Sequence, residues 1–224
     1  MSALTILVTG FGPFPGARFN PTGHMVERLA RLRRPALADV TIIPHVFQTS
    51  YAAVDRDLPR LLAKHKPDAL LMFGLAPRAK VLRIETRARN KSGSFPDISG
   101  RSLPGRRIQS DGPPDLALPH GRQLLAAVRR MKAPVTLSRD AGRYLCNYLC
   151  WRASEAAAEN GLRLAAFVHV PSVTRKVLRP GKKHHASLDD LTHAAVCFLL
   201  ATTTATRRLR APPLGRKLNI VTSP

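Results

Sequence analysis

The sequence predicts one α/β domain whose central sheet is mostly parallel and is covered by helices on both faces. Apolar runs of strand length alternate along the chain with longer stretches in which apolar residues recur at helical spacing. Some of the short runs, such as Ala-Leu-Leu-Met-Phe-Gly at 69–74, are apolar at every position, as a strand buried under helices on both sides must be. With 224 residues, of which 44% are hydrophobic, the chain is able to bury one core of this kind.

The individual elements follow from these patterns in chain order. Six apolar runs predict strands at residues 5–9, 40–46, 69–74, 81–87, 134–137 and 164–170. Five stretches of helical pattern predict helices at residues 22–32, 51–65, 120–131, 142–160 and 188–204. In the second of these helices Val54, Leu58 and Leu61 fall at helical spacing, and the Ser50 side chain is suited to cap the first turn.

Two stretches depart from the alternation. Residues 88–119 are rich in Gly, Pro, Ser and Arg and are too long for a simple connection, which predicts an active-site loop with a small hairpin. Residues 206–224 carry five basic and no acidic side chains, which is typical of a flexible tail. We therefore assign the α/β domain to residues 1–205 and the tail to residues 206–224.

The net charge is the unusual feature of the composition. Lys and Arg number 36 against 14 Asp and Glu, and the resulting charge of +22 raises the hypothesis of a nucleic-acid-binding protein. Aromatic residues make up only 5% of the chain, fewer than a base-stacking platform for single strands needs. The sequence also has no helix-turn-helix signal and no zinc-type cysteine pairing, so the charge alone does not identify a nucleic-acid-binding class.

Other patterns concern the compartment and the cofactors. No segment approaches the roughly 18 apolar residues of a membrane span, and the first ten residues lack the basic region of a signal peptide. Three cysteines without regular spacing indicate reduced thiols, so we expect a cytoplasmic protein. We expect neither a metal nor a cofactor. Four potential metal ligands have a spacing that fits no common site: His184, His185, His193 and Cys197.

Three residues have contexts that suggest nucleophilic catalysis. Cys146 follows Gly142 and falls in the first turn of a predicted helix, where the positive end of the helix dipole favours a thiolate. His169 is near the carboxyl end of a predicted strand, where open α/β sheets place their sites. Glu85 lies between two arginines. Each has an ordinary alternative: Cys146 with Cys150 as small core residues, His169 as a structural histidine, and Glu85 in an exposed ion pair.

Four segments together resemble a known family. The run Leu-Val-Thr-Gly-Phe-Gly-Pro-Phe at 7–14, with Asn-Pro at 20–21, is similar to the first signature of the pyroglutamyl peptidase I (pyrrolidone carboxyl peptidase) family. The segment around Cys146, Ala-Gly-Arg-Tyr-Leu-Cys-Asn, resembles the family's nucleophile motif, and Phe-Val-His-Val-Pro around His169 resembles its histidine motif. Gly74-Leu-Ala, followed by Ile-Glu85 and Asn90, resembles the segment that carries its glutamate.

The resemblance implies a cysteine exopeptidase that removes an N-terminal pyroglutamyl (5-oxoproline) residue from peptides, on a phosphorylase-like α/β fold. Carried over by position, Cys146 is the nucleophile, His169 the base and later the acid, and Glu85 the residue that orients His169. The resemblance also implies four substrate-binding residues: Phe11, Phe14, Tyr144 and Leu75. Because bacterial members are commonly tetramers, it implies a homo-oligomer, and it implies no membrane partner.

Two features separate this chain from the family pattern. The family's arginine in the loop after the glutamate falls on Ser94, and three nearby arginines are candidate replacements: Arg83, Arg87 and Arg89. Residues 76–107 hold nine basic and two acidic side chains, so we expect the charge to favour peptides with acidic residues after the pyroglutamyl group. A second basic loop, 175–185, is predicted to form a solvated lid. The alternative function is nucleic-acid binding on a catalytically weakened peptidase scaffold.

Overall fold

A six-stranded sheet forms the centre of the computed structural model, which describes residues 3–14, 16–103, 106–130, 134–159, 161–173 and 186–210. In chain order its strands are β1 (Leu4–Phe11), β2 (Val40–Phe47), β3 (Ala69–Leu75), β4 (Leu82–Glu85), β7 (Val135–Ser138) and β8 (Leu164–Val170). The spatial order is β2-β1-β3-β8-β4-β7. Strands β2, β1, β3 and β8 run parallel to one another. Strand β4 is antiparallel to β8, and the edge strand β7 is parallel to β4. The predicted fold class, a mostly parallel sheet, is confirmed.

Five helices cover the two faces of the sheet. They are α1 (Pro21–Ala30), α2 (Tyr51–His65), α3 (Gly121–Arg130), α4 (Leu145–Glu159) and α5 (Leu188–Arg210), with a 3-10 turn at Pro35–Leu37. Helices α1, α3 and α5 pack together on one face, and α2 and α4 pack together on the other. Within β1, Ile6 and Val8 point into the core under α1, α3 and α5, and Leu7 points into the core under α2 and α4, because successive side chains of a strand alternate between the two faces of a sheet. All residues of β3 and β8 are buried.

Local signals in the sequence account for the ends of several helices. The Ser50 hydroxyl accepts a hydrogen bond from the Ala53 amide at 3.2 Å, which confirms the predicted cap of α2. Asn20 caps α1 in the same way by accepting from the Thr22 amide at 3.1 Å. Gly142 has a φ of +86°, a left-handed conformation that favours glycine, and α4 begins at Leu145 rather than at the predicted residue 142.

The predicted strand at 81–87 is interrupted. β4 ends at Glu85 and a second strand, β5 (Arg87–Arg89), pairs antiparallel with β6 (Asp115–Ala117) in a separate two-stranded sheet. Thr86 stands at the break, where its amide and hydroxyl both donate to the Ser138 carbonyl at 2.8 Å. The β5–β6 pair closes the base of the loop at 90–114, so the predicted small hairpin is replaced by two short strands at the two ends of a long loop.

The last helix is longer than its sequence pattern suggests. It continues to Arg210, so the first residues of the predicted flexible tail are helical. The buried Thr206 hydroxyl donates back to the Thr202 carbonyl at 2.8 Å, and Arg207 pairs with Asp39. The Thr206 bond lies within the helix, whereas the Arg207–Asp39 pair attaches the end of α5 to the body of the domain. Residues 211–224 lie outside the described part of the chain, and no described helix is long and apolar enough to cross a membrane.

Candidate active site

The structure brings the three predicted catalytic residues together at one place. In the antiparallel β4–β8 ladder Glu85 lies opposite Phe167 and Arg83 lies opposite His169, so the Glu85 and His169 side chains share one face of the sheet. His169 Nδ1 is 2.8 Å from Glu85 Oε1, and both side chains are buried. The exposed ion pair considered for Glu85 is therefore wrong, because the reversed direction of β4 turns this carboxylate into the core.

Cys146 lies beside the same imidazole. It is the second residue of α4, and its half-buried thiol is near enough for its charge and hydrogen bonding to raise the pKa of His169. At the start of α4 the Tyr148 amide donates a hydrogen bond to the Tyr144 carbonyl at 3.0 Å. Amides that precede it in the first turn of a helix have no partner inside the helix, so they are available beside the thiol to a ligand oxygen.

The electrostatics of the site favour a protonated histidine. Burial alone lowers the pKa of His169, but the charge interaction and hydrogen bonding with Cys146, and then those with Glu85, outweigh it. The net effect raises the pKa of His169 to about 9. The imidazole consequently carries a proton at neutral pH while it lies between a sulfur and a carboxylate.

Cys150 lies one helical turn after Cys146 and belongs to the core. Burial, followed by the nearby Glu85 and Cys146, raises the pKa of the Cys150 thiol well above its ordinary value, so it stays protonated. Its side chain is fully buried among the residues between α4 and the sheet. Cys150 is therefore a small core residue, as the alternative interpretation proposed. Cys146 is only partly buried and lies at the edge of the same core.

Gly74 makes room for the thiol. A Cβ at this position would lie 2.8 Å from Cys146 Sγ and 2.6 Å from Phe167 Cζ, closer than real Cβ contacts allow. The glycine therefore lets β3 pass directly against the cysteine. Its neighbour Leu75 is buried at the end of the same strand, opposite Val170 of β8.

The predicted aromatic side chains separate into two groups. Phe14 and Tyr144 face each other with ring centroids 6.3 Å apart. Phe11 is buried in the core and packs against Phe47 at 5.9 Å, so its ring contributes to the layer below. Sequence reasoning missed Phe95, which packs edge-on against Tyr144 at 5.4 Å and is 52% exposed. Phe95 could have been identified from the sequence, because it is an aromatic residue inside the loop that was expected at the active site.

Two buried polar side chains fix the loop beside Cys146, and sequence reasoning assigned neither a role. Asn147, next to Cys146, accepts from the Arg89 amide at 2.9 Å and donates to the carbonyls of Arg89 and Lys91 at 2.7 and 3.0 Å. Asp97 accepts from the Tyr51 amide at 3.0 Å and from amides of its own turn. The loop is thereby bonded to the first turns of α4 and α2.

The three arginines considered as replacements for Ser94 have different surroundings. Arg87 pairs with Asp115 at 2.6 Å and Arg89 with Asp140 at 3.3 Å, and both also donate to the Arg139 carbonyl at 3.2 Å. These contacts bind their guanidinium groups to the hairpin and the β7 end. Arg83 is the arginine that lies opposite His169 in the ladder.

No group of three or more His, Cys, Asp and Glu side chains that could hold a metal ion occurs among the described residues. His193 and Cys197 lie on α5. His184, His185 and the predicted lid at 175–185 fall outside the described ranges.

Comparisons with known proteins agree on one family. The sequence model of "Pyroglutamyl peptidase" matches residues 4–205. The chain is 31% identical over 180 residues to a pyrrolidone-carboxylate peptidase of Thermococcus onnurineus, covering 78% of this chain and 87% of that one. It is 30% identical over 192 residues to the enzyme of that name from Streptococcus suis, covering 84% and 87%. Among solved structures, pyrrolidone carboxyl peptidase from Thermococcus litoralis superposes with a TM-score of 0.80 at 26% identity, covering 92% of this chain and 96% of that one.

Proposed function

The chain belongs to the pyroglutamyl peptidase family and is a cysteine omega-peptidase, and we propose that it hydrolyses N-terminal pyroglutamyl peptides with Cys146, His169 and Glu85. The observation that carries this assignment is the buried contact of His169 with Glu85, with Nδ1 and Oε1 2.8 Å apart, beside a half-buried Cys146 whose influence raises the pKa of the same histidine. A thiol nucleophile needs a base within hydrogen-bond reach and a third group that orients the base.

The first half of the reaction forms an acyl-enzyme. With the proton held on His169, the Cys146 sulfur attacks the carbonyl carbon that joins the pyroglutamyl ring to the next residue. Amides of the first turn of α4 stabilise the negative oxygen of the tetrahedral intermediate. The C–N bond then breaks, His169 donates its proton to the departing amine, and a thioester remains on Cys146.

The second half releases the product. Water attacks the thioester carbon while His169 removes a proton from it, and the C–S bond breaks to give free pyroglutamate and the cysteine. Glu85 contributes by holding the Nδ1–H, which directs Nε2 toward the sulfur and the water. Because Glu85 is buried against the histidine, it keeps this orientation through both halves.

The aromatic side chains give a physical account of the substrate. A pyroglutamyl group is a small, flat, uncharged ring with one N–H and one carbonyl. In this proposal Phe14 and Tyr144, whose ring centroids are 6.3 Å apart, supply ring faces for it, and the exposed Phe95 beside Tyr144 extends the apolar surface. The buried Phe11 and Leu75 would lie beneath them. A free α-ammonium would lose its hydration among these rings without gaining a partner, so ordinary N-termini are excluded.

A fluorogenic pyroglutamyl amide tests the assignment. We expect the purified chain to release the fluorophore, iodoacetamide to stop the reaction, and Cys146→Ala to lower the rate by at least about 10³-fold. Cys197→Ala is the matched control, since Cys197 lies on α5 and is also partly exposed. A Cys146→Ala protein that keeps a tenth of the wild-type rate would exclude this nucleophile.

A further inference from the structure

A strongly basic cavity lies beside the candidate active site. It has a volume of about 1020 Å³, and its lining includes four cationic side chains: Lys91, Arg106, Arg107 and Arg143. No carboxylate is present among its described lining residues, which are otherwise small, polar or apolar. Ser94, a small side chain, forms part of the wall.

These four cations lack acidic partners. Within the described ranges none of them forms an ion pair, although Arg87 and Arg89 of the neighbouring strand pair with Asp115 and Asp140. The chain has only 14 acidic residues against 36 basic ones. Near this loop Asp97 accepts from backbone amides and Asp115 and Asp140 pair with arginines, and the exposed Asp111 is not part of the cavity lining. Like charges that line one concave space focus a positive potential there and raise the local concentration of anions. The cavity is therefore complementary to an anionic ligand.

The position of the cavity connects it with the nucleophile. Its wall at 90–93 is fixed by Asn147, which bonds the Lys91 carbonyl at 3.0 Å, and by the Gly93 amide, which donates to the Arg143 carbonyl at 2.7 Å. Arg143 and Asn147 flank Cys146 in the chain. Three residues span at most about 11 Å, so Arg143 lies within that distance of the nucleophile along the backbone.

We propose that this cavity is a binding site for carboxylate side chains of the substrate peptide, within the first three residues after the pyroglutamyl group. An extended peptide advances about 3.4 Å per residue, so its third residue reaches the same range as Arg143. The inference rests on the proposed function, and it assigns the excess charge of this loop to the choice of peptide. Arg106 and Arg107 line the cavity, are exposed, and are far from Cys146 in the sequence. They are therefore the residues to substitute.

The experiment compares two C-terminally amidated peptides, pyroglutamyl-Ala-Glu-Glu and pyroglutamyl-Ala-Gln-Gln. At an ionic strength of about 0.02 M we expect kcat/KM to favour the Glu peptide by about five- to tenfold, through KM, and the preference to vanish near 0.5 M. Arg106→Gln/Arg107→Gln reduces the ratio to near one. The matched control Arg31→Gln/Arg33→Gln removes the same charge from exposed residues at the end of α1 and keeps the ratio.

A binding arm separates this inference from the peptidase assignment. Affinities of both peptides for Cys146→Ala, with and without Arg106→Gln/Arg107→Gln, need no turnover. A preference for binding the Glu peptide that depends on Arg106 and Arg107 supports the cavity site, whether or not the peptide is cleaved. If neither peptide is cleaved by the wild-type protein, the proposed function is overturned, but the cavity site is not. Cleavage with equal efficiency on both peptides overturns the cavity site alone. A single-stranded oligonucleotide that displaces the Glu peptide at lower concentration than the peptide's own Kd overturns the peptide assignment in favour of nucleic acid.

Discussion

Two histidine–carboxylate pairs in this molecule have opposite properties. His169 on β8 contacts Glu85 at 2.8 Å, and its pKa is raised to about 9. His45 on β2 lies 3.5 Å from Asp57 of α2, and burial lowers its pKa despite the attraction of that carboxylate. The Asp57 carboxylate is already held by Arg56 at 2.7 and 2.9 Å, and the Arg56 charge also lowers the pKa of His45.

The difference shows that a neighbouring carboxylate does not by itself make a catalytic histidine. In both pairs burial opposes the charged imidazole. Only His169 has a sulfur on its other side, and Cys146 raises its pKa more than Glu85 does. Glu85 also has no competing cation in contact, and its second oxygen, Oε2, has no hydrogen-bond partner among the described residues. In the proposed mechanism the chemistry thus depends on Cys146 and on a carboxylate, Glu85, that has no competing cation among the described residues.

The sharpest way to break the comparison is to neutralise each carboxylate. Glu85→Gln keeps the shape but removes the charge that orients His169, and we expect kcat on the pyroglutamyl amide to fall by about 10²- to 10⁴-fold. Asp57→Asn is the matched change in the other pair and is expected to leave kcat within about twofold. Equal effects of the two substitutions, in proteins with unchanged thermal midpoints, would contradict the separate roles.

Displacing the sulfur tests what distinguishes His169 from His45. In Gly74→Ala the new methyl group would meet Cys146 Sγ at 2.8 Å, so the thiol must shift away from the imidazole. We expect kcat to fall by about 10- to 100-fold, the cost of misplacing a reacting group by about 1 Å. Gly12→Ala serves as the control because its Cβ would make an ordinary contact of 3.6 Å with the Phe47 carbonyl. Unchanged kcat in Gly74→Ala would show that the thiol position is not critical.

The raised pKa of His169 predicts an alkaline limit to activity. Because the folded-state pKa is about 9 instead of 6.5, the imidazolium persists through neutral pH and is lost as the pH rises through 9. Expulsion of the amine requires that proton, so we expect kcat/KM to decline about tenfold per pH unit above 9. If the alkaline decline of kcat/KM began near pH 6.5, it would report a histidine with an ordinary pKa and would contradict the raised pKa of His169.

Nuclear magnetic resonance titration of labelled histidines compares the two pairs directly. His169 should titrate near 9 and His45 below its ordinary value. In Cys146→Ala we expect the pKa of His169 to fall, since the largest raising influence is removed, while His45 serves as an unchanged internal reference. A His169 signal that titrates identically in both proteins would exclude the coupling to the sulfur.

The regular elements were largely predictable, because strands and helices follow apolar periodicity. The residues of the candidate site, Cys146, His169 and Glu85, were selected because each lies in a short segment that resembles a family motif, and the structure brings Glu85 and His169 into contact. The burial of Glu85 was not predictable from its neighbours, since Arg83 and Arg87, each two positions away, indicate an exposed ion pair. It depends on β4 running antiparallel to β8, which is a contact between residues 84 positions apart.

The loop at 90–114 was the least predictable region. Its path is set by long-range hydrogen bonds from Asn147 and from Asp97, and by bonds of the Asn90 side chain to residues 108, 109 and 112 within the loop. Composition indicated a loop and its charge, but not that Phe95 would reach Tyr144. Nor did it indicate that four cations would share one cavity. The extension of α5 similarly depends on the distant Asp39.

The central claim is that Cys146 carries the acyl group during the reaction. Rapid acid quenching of the enzyme with a pyroglutamyl amide, followed by mass spectrometry of its peptides, tests it most directly. We predict a mass increase equal to one pyroglutamyl group on the peptide that contains Cys146, absent from Cys146→Ala and from iodoacetamide-treated protein. Turnover without any such adduct on Cys146, or an adduct on Cys150 or Cys197 instead, would contradict the account.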